Sequence, residues 1–193
     1  MSIQKQHIVV AVTGASGAPY ARALLRALTS NPDIQVHLIT SSAGRLVYAL
    51  EIGAPIEDDL PEGIRLYGEK DFTAPFASGS FPCAGMAVVP CTMGTLAAIA
   101  HGISQNLIHR AADVCLKERR RLVLVAREMP LSAIHLGNML RVHEAGGIIL
   151  PPMPGFYHQP KTMDDLVRFV VARILDQLGI PQDLIPPWGG ESL

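Results

Sequence analysis

The sequence predicts an α/β protein with a doubly wound parallel sheet in three layers, α/β/α. Three observations carry that prediction. Strand-length apolar runs alternate with helical segments at regular spacing. Two of those runs open into turns of small residues just before a helix, at 13–18 and 90–95. The composition is 49% apolar but only 5% aromatic, which suits helices packed closely on a parallel sheet. The 193 residues read as one domain, 1–193, with 180–193 an irregular tail.

The first strand is Ile8 to Val12, and the turn Thr13-Gly14-Ala15-Ser16-Gly17-Ala18 follows it. Pro19, favoured at a first helical position, opens a helix with Tyr20, Leu24 and Leu28 on one face. Asn31-Pro32-Asp33 breaks it. The second strand, Val36 to Thr40, runs into Ser41-Ser42 and a helix carrying Leu46, Val47 and Leu50 that ends at Glu51 near Gly53. Residues 54–83 are the least regular part, with a short strand at Ile64 to Tyr67 and a loop over 74–80. Strand Met86 to Val89 leads to Pro90-Cys91-Thr92-Met93-Gly94-Thr95 and a helix. A further helix covers Asn106 to Lys117, and strand Leu122 to Ala126 ends at Arg127-Glu128. Ser132 caps a helix that stops at Gly146-Gly147. Strand Ile148 to Leu150 opens into a loop over 151–160. Thr162 with Asp165 forms a capping box for the last helix, which ends near Gly179. The tail holds Pro186-Pro187-Trp188 and is expected to be irregular.

A net charge of −1 makes neither nucleic acid nor an anionic membrane an expected partner. The 3 cysteines, Cys83, Cys91 and Cys115, form no CxxC pair, and the 7 histidines show no ligand spacing, so no metal is expected. The cysteine usage points to a cytoplasmic location. Polar Ser2 to His7 precedes only a strand-length apolar run, so no secretory leader is expected.

In doubly wound sheets ligands bind beyond the carboxyl ends of the strands. That rule selects the turns at 13–18, 40–42, 90–95, 127–130 and 151–160. Thr40-Ser41-Ser42 carries no Asp or Glu to hold a dinucleotide ribose, and no Gly-Lys-Ser/Thr follows the first turn. A mononucleotide such as FMN, or a sugar phosphate, fits better. Ser16 is either a turn residue or a hydroxyl facing a ligand. Among the cations from Arg110 to Arg127, the run Arg119 to Arg121 reads as a solvated corner, whereas Arg127 sits where the crevice should be. Glu128 beside it is an ion-pair partner or a general acid. At about 100° per residue, Arg173 falls within a stripe of Leu166, Phe169, Val170 and Ile174, and an inward cation asks for an anion, met by an internal salt bridge, by a subunit interface or by an anionic ligand. Tyr157 with Arg173 would make a phosphate clamp. Glu51, at the edge of the Leu46–Leu50 stripe, is a surface helix end or a base.

Taken together, Thr-Gly-Ala-Ser-Gly at 13–17, Ala-Ser-Gly-Ser at 77–80 and Pro-Cys-Thr-Met-Gly-Thr-Leu at 90–96 form an ordered set. The run 106–120, Arg-Glu-Met-Pro-Leu at 127–131 and Pro-Gly-Phe-Tyr-His-Gln-Pro at 154–160 complete it. The chain resembles the UbiX-type flavin prenyltransferases over nearly its whole length. The resemblance implies a flavodoxin-like/Rossmann-like fold and a homododecamer. It implies metal-independent transfer of a dimethylallyl group from dimethylallyl phosphate to N5 and C6 of reduced FMN. The prenylated FMN then serves a separate UbiD-type decarboxylase, commonly in ubiquinone biosynthesis. By position, Gly14, Ala15, Ser16, Ser41, Thr92, Met93, Gly94, Thr95 and Arg127 match the family's FMN contacts. Tyr157 and Arg173 match its prenyl-phosphate contacts, with Arg110 and Lys117 nearby. Ser16, Glu51 and Glu128 match residues tied to proton handling, and Lys117 joins the catalytic set. Relatives commonly carry tryptophan at Phe72 and serine at Thr92, and the segment 54–70 is longer in some. A decarboxylase of the cysteine-decarboxylating flavoproteins is the alternative, but its Pro-Ala-Ser-Ala-Asn-Thr segment and first-helix histidine are missing. A non-catalytic flavin carrier is a third reading, which the paired acids argue against.

Overall fold

The computed structural model describes residues 5–186. Ser2 to Gln4 of the polar start and Pro187-Trp188 of the tail lie outside the described residues. The order is β1 (Gln6–Val12), α1 (Ala18–Thr29), β2 (Ile34–Thr40), α2 (Ser42–Ile52), α3 (Ile56–Asp59), β3 (Arg65–Gly68) and β4 (Cys83–Cys91), then α4 (Met93–Ala100), α5 (Leu107–Lys117), β5 (Arg121–Ala126), α6 (Ala133–Glu144), β6 (Ile148–Ile149) and α7 (Met163–Leu178).

All strand pairs are parallel, in the order β3-β2-β1-β4-β5-β6. Without the short edge strand β3, this is the flavodoxin-like order. The strand order reverses between β1 and β4, so the ligand crevice of such a sheet lies outside their carboxyl ends. The helices divide between two faces. One half of the core packs α1 and α7 on the sheet through Leu24, Leu28, Val171 and Ile174. The other packs α4 and α5 through Leu96, Leu107, Ile108 and Ala112.

Local signals placed most helix ends. Ser132 accepts the His135 amide, and Thr162 and Asp165 cap each other's backbone at the start of α7. Gly53 and Gly179 close α2 and α7 in the left-handed region. Four expectations change. Pro90 and Cys91 continue β4, so its turn begins only at Thr92. Segment 54–83 holds the short helix α3 and a 3-10 turn at Pro75–Ala77. Leu46 and Leu50 face outward, and α2 instead turns Gly44 and Tyr48 inward. Arg120 is not solvated, because its guanidinium donates to the carbonyl of Gly79 at 2.6 Å.

Candidate functional site

The crevice is built on a buried threonine. Thr13 Oγ1 donates to the Pro90 carbonyl at 2.7 Å and accepts the Thr92 amide at 2.9 Å. This one hydroxyl ties the end of β1 to the end of β4 and fixes the two turns against each other. Sequence reasoning left Thr13 as part of the turn and assigned it no role. Helix α2 then closes over the first turn. A Cβ on Gly14 would lie 2.5 Å from the Ala43 Cβ, and one on Gly44 would lie 2.4 Å from the Val12 carbonyl oxygen. Both glycines are required by close approach, not by their torsions.

That approach brings Glu51 to the start of α1. Gly44, Tyr48 and Glu51 are spaced i, i+4 and i+7, so they share the inward face. Glu51 Oε2 accepts the amides of Gly17 at 2.9 Å and Ala18 at 2.7 Å. Its partial burial pushes the carboxyl up. The Ser16 hydroxyl, the two amides and Arg127 outweigh that and hold it below the ordinary value. Arg127, at the end of β5, donates from Nε to the Ser16 carbonyl at 3.2 Å. A hydroxyl, a carboxylate and a guanidinium thus converge on one turn. Beside it a cleft of about 790 Å³ opens between α1 and α7, walled by Tyr20, Ala23, Val167 and Val171 and rimmed by Arg22 and Arg168.

The start of α4 is different. Thr92 Oγ1 accepts the Thr95 amide at 3.1 Å and donates to Thr95 Oγ1 at 3.0 Å. Among the described residues, no group accepts from the amides of Met93 and Gly94. A Cβ on Gly94 would meet nothing closer than 4.0 Å, so the backbone there is open to a bound group. The amides of Gly14, Ala15 and Ser16 are likewise unpartnered among the described residues. Free amides at a helix start and in a glycine turn suit a phosphate.

Ser41 caps α2, accepting the Gly44 amide at 2.9 Å. Its neighbour shows a partner the sequence did not reveal. Ser42 donates both its amide, at 3.1 Å, and its hydroxyl, at 2.8 Å, to Glu69 Oε1. A carboxylate therefore stands at the end of β2 after all, supplied from the end of β3. The only sequence signal was its position just past that short strand.

The remaining candidates are spread wider. Glu128 is exposed and accepts the Met129 amide at 3.0 Å. Tyr157 sits in the 151–160 loop, edge-on to Phe169 with ring centroids 5.7 Å apart. Phe72 is also exposed. The inward cation is not found. Arg173 is half exposed and donates to Asp176 at 2.6 Å. The stripe of α7 that packs is Val167, Val170, Val171, Ile174 and Leu178. Arg173 lies roughly 115° from its centre at 100° per residue. The expected stripe omitted Val167, Val171 and Leu178, which moved its centre. Arg110 and Lys117 do not join the Ser16–Glu51 group within one chain. Arg110 Nε donates to the Ala77 carbonyl at 3.0 Å and Lys117 pairs with Glu118. Lys117 ends α5 four residues before β5 begins, which puts it at the amino edge of the sheet.

Fold and site together define an α/β protein whose β1–β4 crevice has open amides of the kind that suit a phosphorylated mononucleotide. A profile of the Flavoprotein family matches residues 1–175. The chain is 48% identical to the flavin prenyltransferase UbiX of Pseudomonas aeruginosa, over 97% of this chain and 96% of that one. It is 46% identical to the UbiX of Methanothermobacter thermautotrophicus, over 96% and 97%. The crystal structure of AnUbiX (PadA1) with FMN and dimethylallyl pyrophosphate superposes with a TM-score of 0.91 at 44% identity, covering 96% of this chain and 98% of that one. A dodecameric FMN-dependent UbiX-like decarboxylase from Escherichia coli O157:H7 gives 0.91 at 45%, covering 96% and 100%. The chain belongs to the UbiX-type flavin prenyltransferases. A PPC decarboxylase at 18% identity and a TM-score of 0.62 shares the fold alone.

Proposed function

We propose that the chain moves a dimethylallyl group from dimethylallyl phosphate to N5 and C6 of reduced FMN, closing a fourth ring and releasing phosphate. A UbiD-type decarboxylase then takes up the prenylated flavin, with ubiquinone synthesis the expected setting. The observation that carries this reading is the convergence of Ser16, Glu51 and Arg127 on one turn, beside a cleft that admits a small apolar group.

Reduced FMN supplies the nucleophilic N5 and C6 when bound. The residues present fit it. Gly14, Ala15, Met93 and Gly94 offer unpartnered amides, Thr95 and Ser41 offer hydroxyls, and Arg127 offers a cation at the same edge. Cleavage of the allylic C–O bond leaves charge on the phosphate, and fixed cations with a proton donor stabilise it. Glu128 is the proton donor in this reading. Ring closure adds C6 to the prenyl double bond, whose inner carbon gains a proton while C6 loses one; Glu51 is the base that takes the C6 proton, and Ser16 links it to the reacting group. The amide bonds hold Glu51 ionised, the form a base needs.

Tyr157, Arg173, Arg110 and Lys117 bind the donor phosphate in this reading. Arg110 and Lys117 make their contacts elsewhere in the chain, so in this reading neighbouring copies complete the site. A homododecamer is the assembly we propose, supported by the dodecameric E. coli relative. We place the reaction in the cytoplasm, in keeping with the free, buried Cys83, Cys91 and Cys115.

Anaerobic incubation with reduced FMN and dimethylallyl phosphate, followed by a mass spectrum of the flavin, tests the reading. An added five-carbon unit is the expected outcome. Unmodified flavin with carbon dioxide released from an acid substrate would replace it with a decarboxylase. Binding without chemistry would leave a flavin carrier.

A further inference from the structure

The amino end of β4 carries a thiol that strict alternation would turn the other way. Along β4, Met86 and Val88 pack with α4 and α5, and Ala87 and Val89 with α1 and α7. A regular strand would put Ala84 on the first side and Cys83 on the second. The pairing with β1 slips at this point. His7 opposes Cys83 and Ile8 opposes Gly85, so Ala84 is left over as a bulge. Ala84 packs on the α1–α7 side, and Cys83 joins the α4–α5 side. Cys115 lies there, on the buried face of α5 with Ile108 and Ala112.

The two thiols hydrogen-bond to each other, and both are buried and free. Arg120 completes the group. Its amide donates to the Cys115 carbonyl at 2.8 Å, and its Nη2 reaches the Gly79 carbonyl. Its Nη1 is shut off from solvent without a partner among the described residues. The Cys115 thiol first, then the Gly85 backbone and Arg120, lower the Cys83 thiol against its burial, while Cys115 is raised. One sulfur is prepared to attack as a thiolate, and the other keeps its proton until the second step. Cys91 is the contrast: fully buried, its thiol is pushed up to about 12. The proposed transfer reaction uses none of the three.

We propose that Cys83 and Cys115 are an oxidisable dithiol, a modification site at which a hydroperoxide closes a disulfide between β4 and α5. The Cys83 thiolate attacks one peroxide oxygen, and the O–O bond breaks. The leaving hydroxide takes up the proton that Cys83 gave up and departs as water. The Cys115 sulfur then attacks the Cys83 sulfenic sulfur, the S–O bond breaks, and the hydroxide leaves as a second water with the Cys115 proton. Two thiols become one disulfide, and the peroxide is reduced to two waters. In a reducing compartment the dithiol is the resting form, and such disulfides are transient. Reduced flavin yields hydrogen peroxide when it meets dioxygen, so the flavin reading supplies an oxidant. Only that source rests on the reading.

The test adds hydrogen peroxide directly to the reduced, full-length protein, so its outcome does not depend on the flavin. Remaining thiols are alkylated in denaturant, and the peptides are mapped without reduction. A linked Cys83–Cys115 peptide pair is expected, reversed by dithiothreitol, with Cys91 alkylated. In Cys115→Ser the hydroxyl keeps a donor beside Cys83 but cannot resolve it. Cys83 should then accumulate as a sulfenic acid, trapped by dimedone at least tenfold above the wild-type level. In Cys83→Ser, Cys115 should stay a thiol. Both thiols alkylated in the wild type, after an exposure that oxidises free cysteine, would overturn the proposal. So would a Cys83 link to another copy of the chain, or oxidation of Cys91 as fast as that of Cys83.

Discussion

The two ends of the sheet treat polar groups in opposite ways. Toward the amino end, polar side chains satisfy one another or a nearby loop. His37, fully buried in β2, lies between His7 at 3.0 Å and the Tyr67 hydroxyl at 3.1 Å, with Phe76 and Phe81 edge-on to it. Cys83 donates to the Gly85 carbonyl and neighbours Cys115; the Cys115 thiol first, then the Gly85 backbone and Arg120, lower the Cys83 thiol, while Cys115 is raised. Arg110 and Arg120 fasten the carbonyls of Ala77 and Gly79. At the carboxyl end, Glu51, Glu69 and Arg127 are bound to backbone, and the amides of Gly14, Ala15, Ser16, Met93 and Gly94 stay unpartnered among the described residues. A closed network stabilises; a rigid set of open donors recognises. Open donors held by a rigid frame suit the carboxyl end to recognition, a physical reason that does not depend on family likeness.

The largest effect that would break this division is at Glu51. Glu51→Gln should lower formation of the ring-closed flavin about 100-fold or more while flavin binding is retained, followed by mass spectrometry of the product. Normal product would move the base elsewhere. Next is the hydroxyl that joins the two turns. Thr13→Val leaves the Pro90 carbonyl and Thr92 amide without their shared partner, and chemical denaturation should show a loss of about 2 kcal/mol. An unchanged midpoint would mean that the crevice does not depend on that crossing.

The amino end is tested by pH. Burial first, then His7 and Arg65, pushes His37 down to about 4, from 6.5 in the unfolded chain. The stability of the neutral form is complete above pH 6.5 and falls as pH drops toward 4, since the unfolded state takes the proton first. The fall should be on the order of 2 kcal/mol, and His37→Gln should flatten it in denaturation curves over that range. The smallest effect is expected at Arg173. Its exposed i, i+3 pair with Asp176 predicts less than about 0.5 kcal/mol of stability lost in Arg173→Ala. A raised KM for the prenyl donor in that variant, with kcat kept, would show that it reaches a site formed between subunits.

Much of the fold was legible because its signals are local. Pro19 at the start of α1, Ser132 at α6 and the Thr162–Asp165 box at α7 each act within one turn of chain. The turns that hold the crevice followed from strand ends and small residues. Two helix faces were not legible. Helix α2 is apolar on two sides, and the choice of Gly44 and Tyr48 over Leu46 and Leu50 depends on how closely it can approach Val12. In α7, valines on several sides allow more than one stripe, and packing on the sheet selects one.

By itself the sequence determined the alternation of strands and helices, the caps, the candidate turns and the family likeness, all carried by residues near one another in the chain. The tertiary structure alone decided which charges meet. Glu51 reaches Gly17 across 34 positions, Glu69 reaches Ser42 across 27, and Arg127 reaches Ser16 across 111. Such contacts depend on strand order and on which helix face turns inward, and no local spacing encodes either.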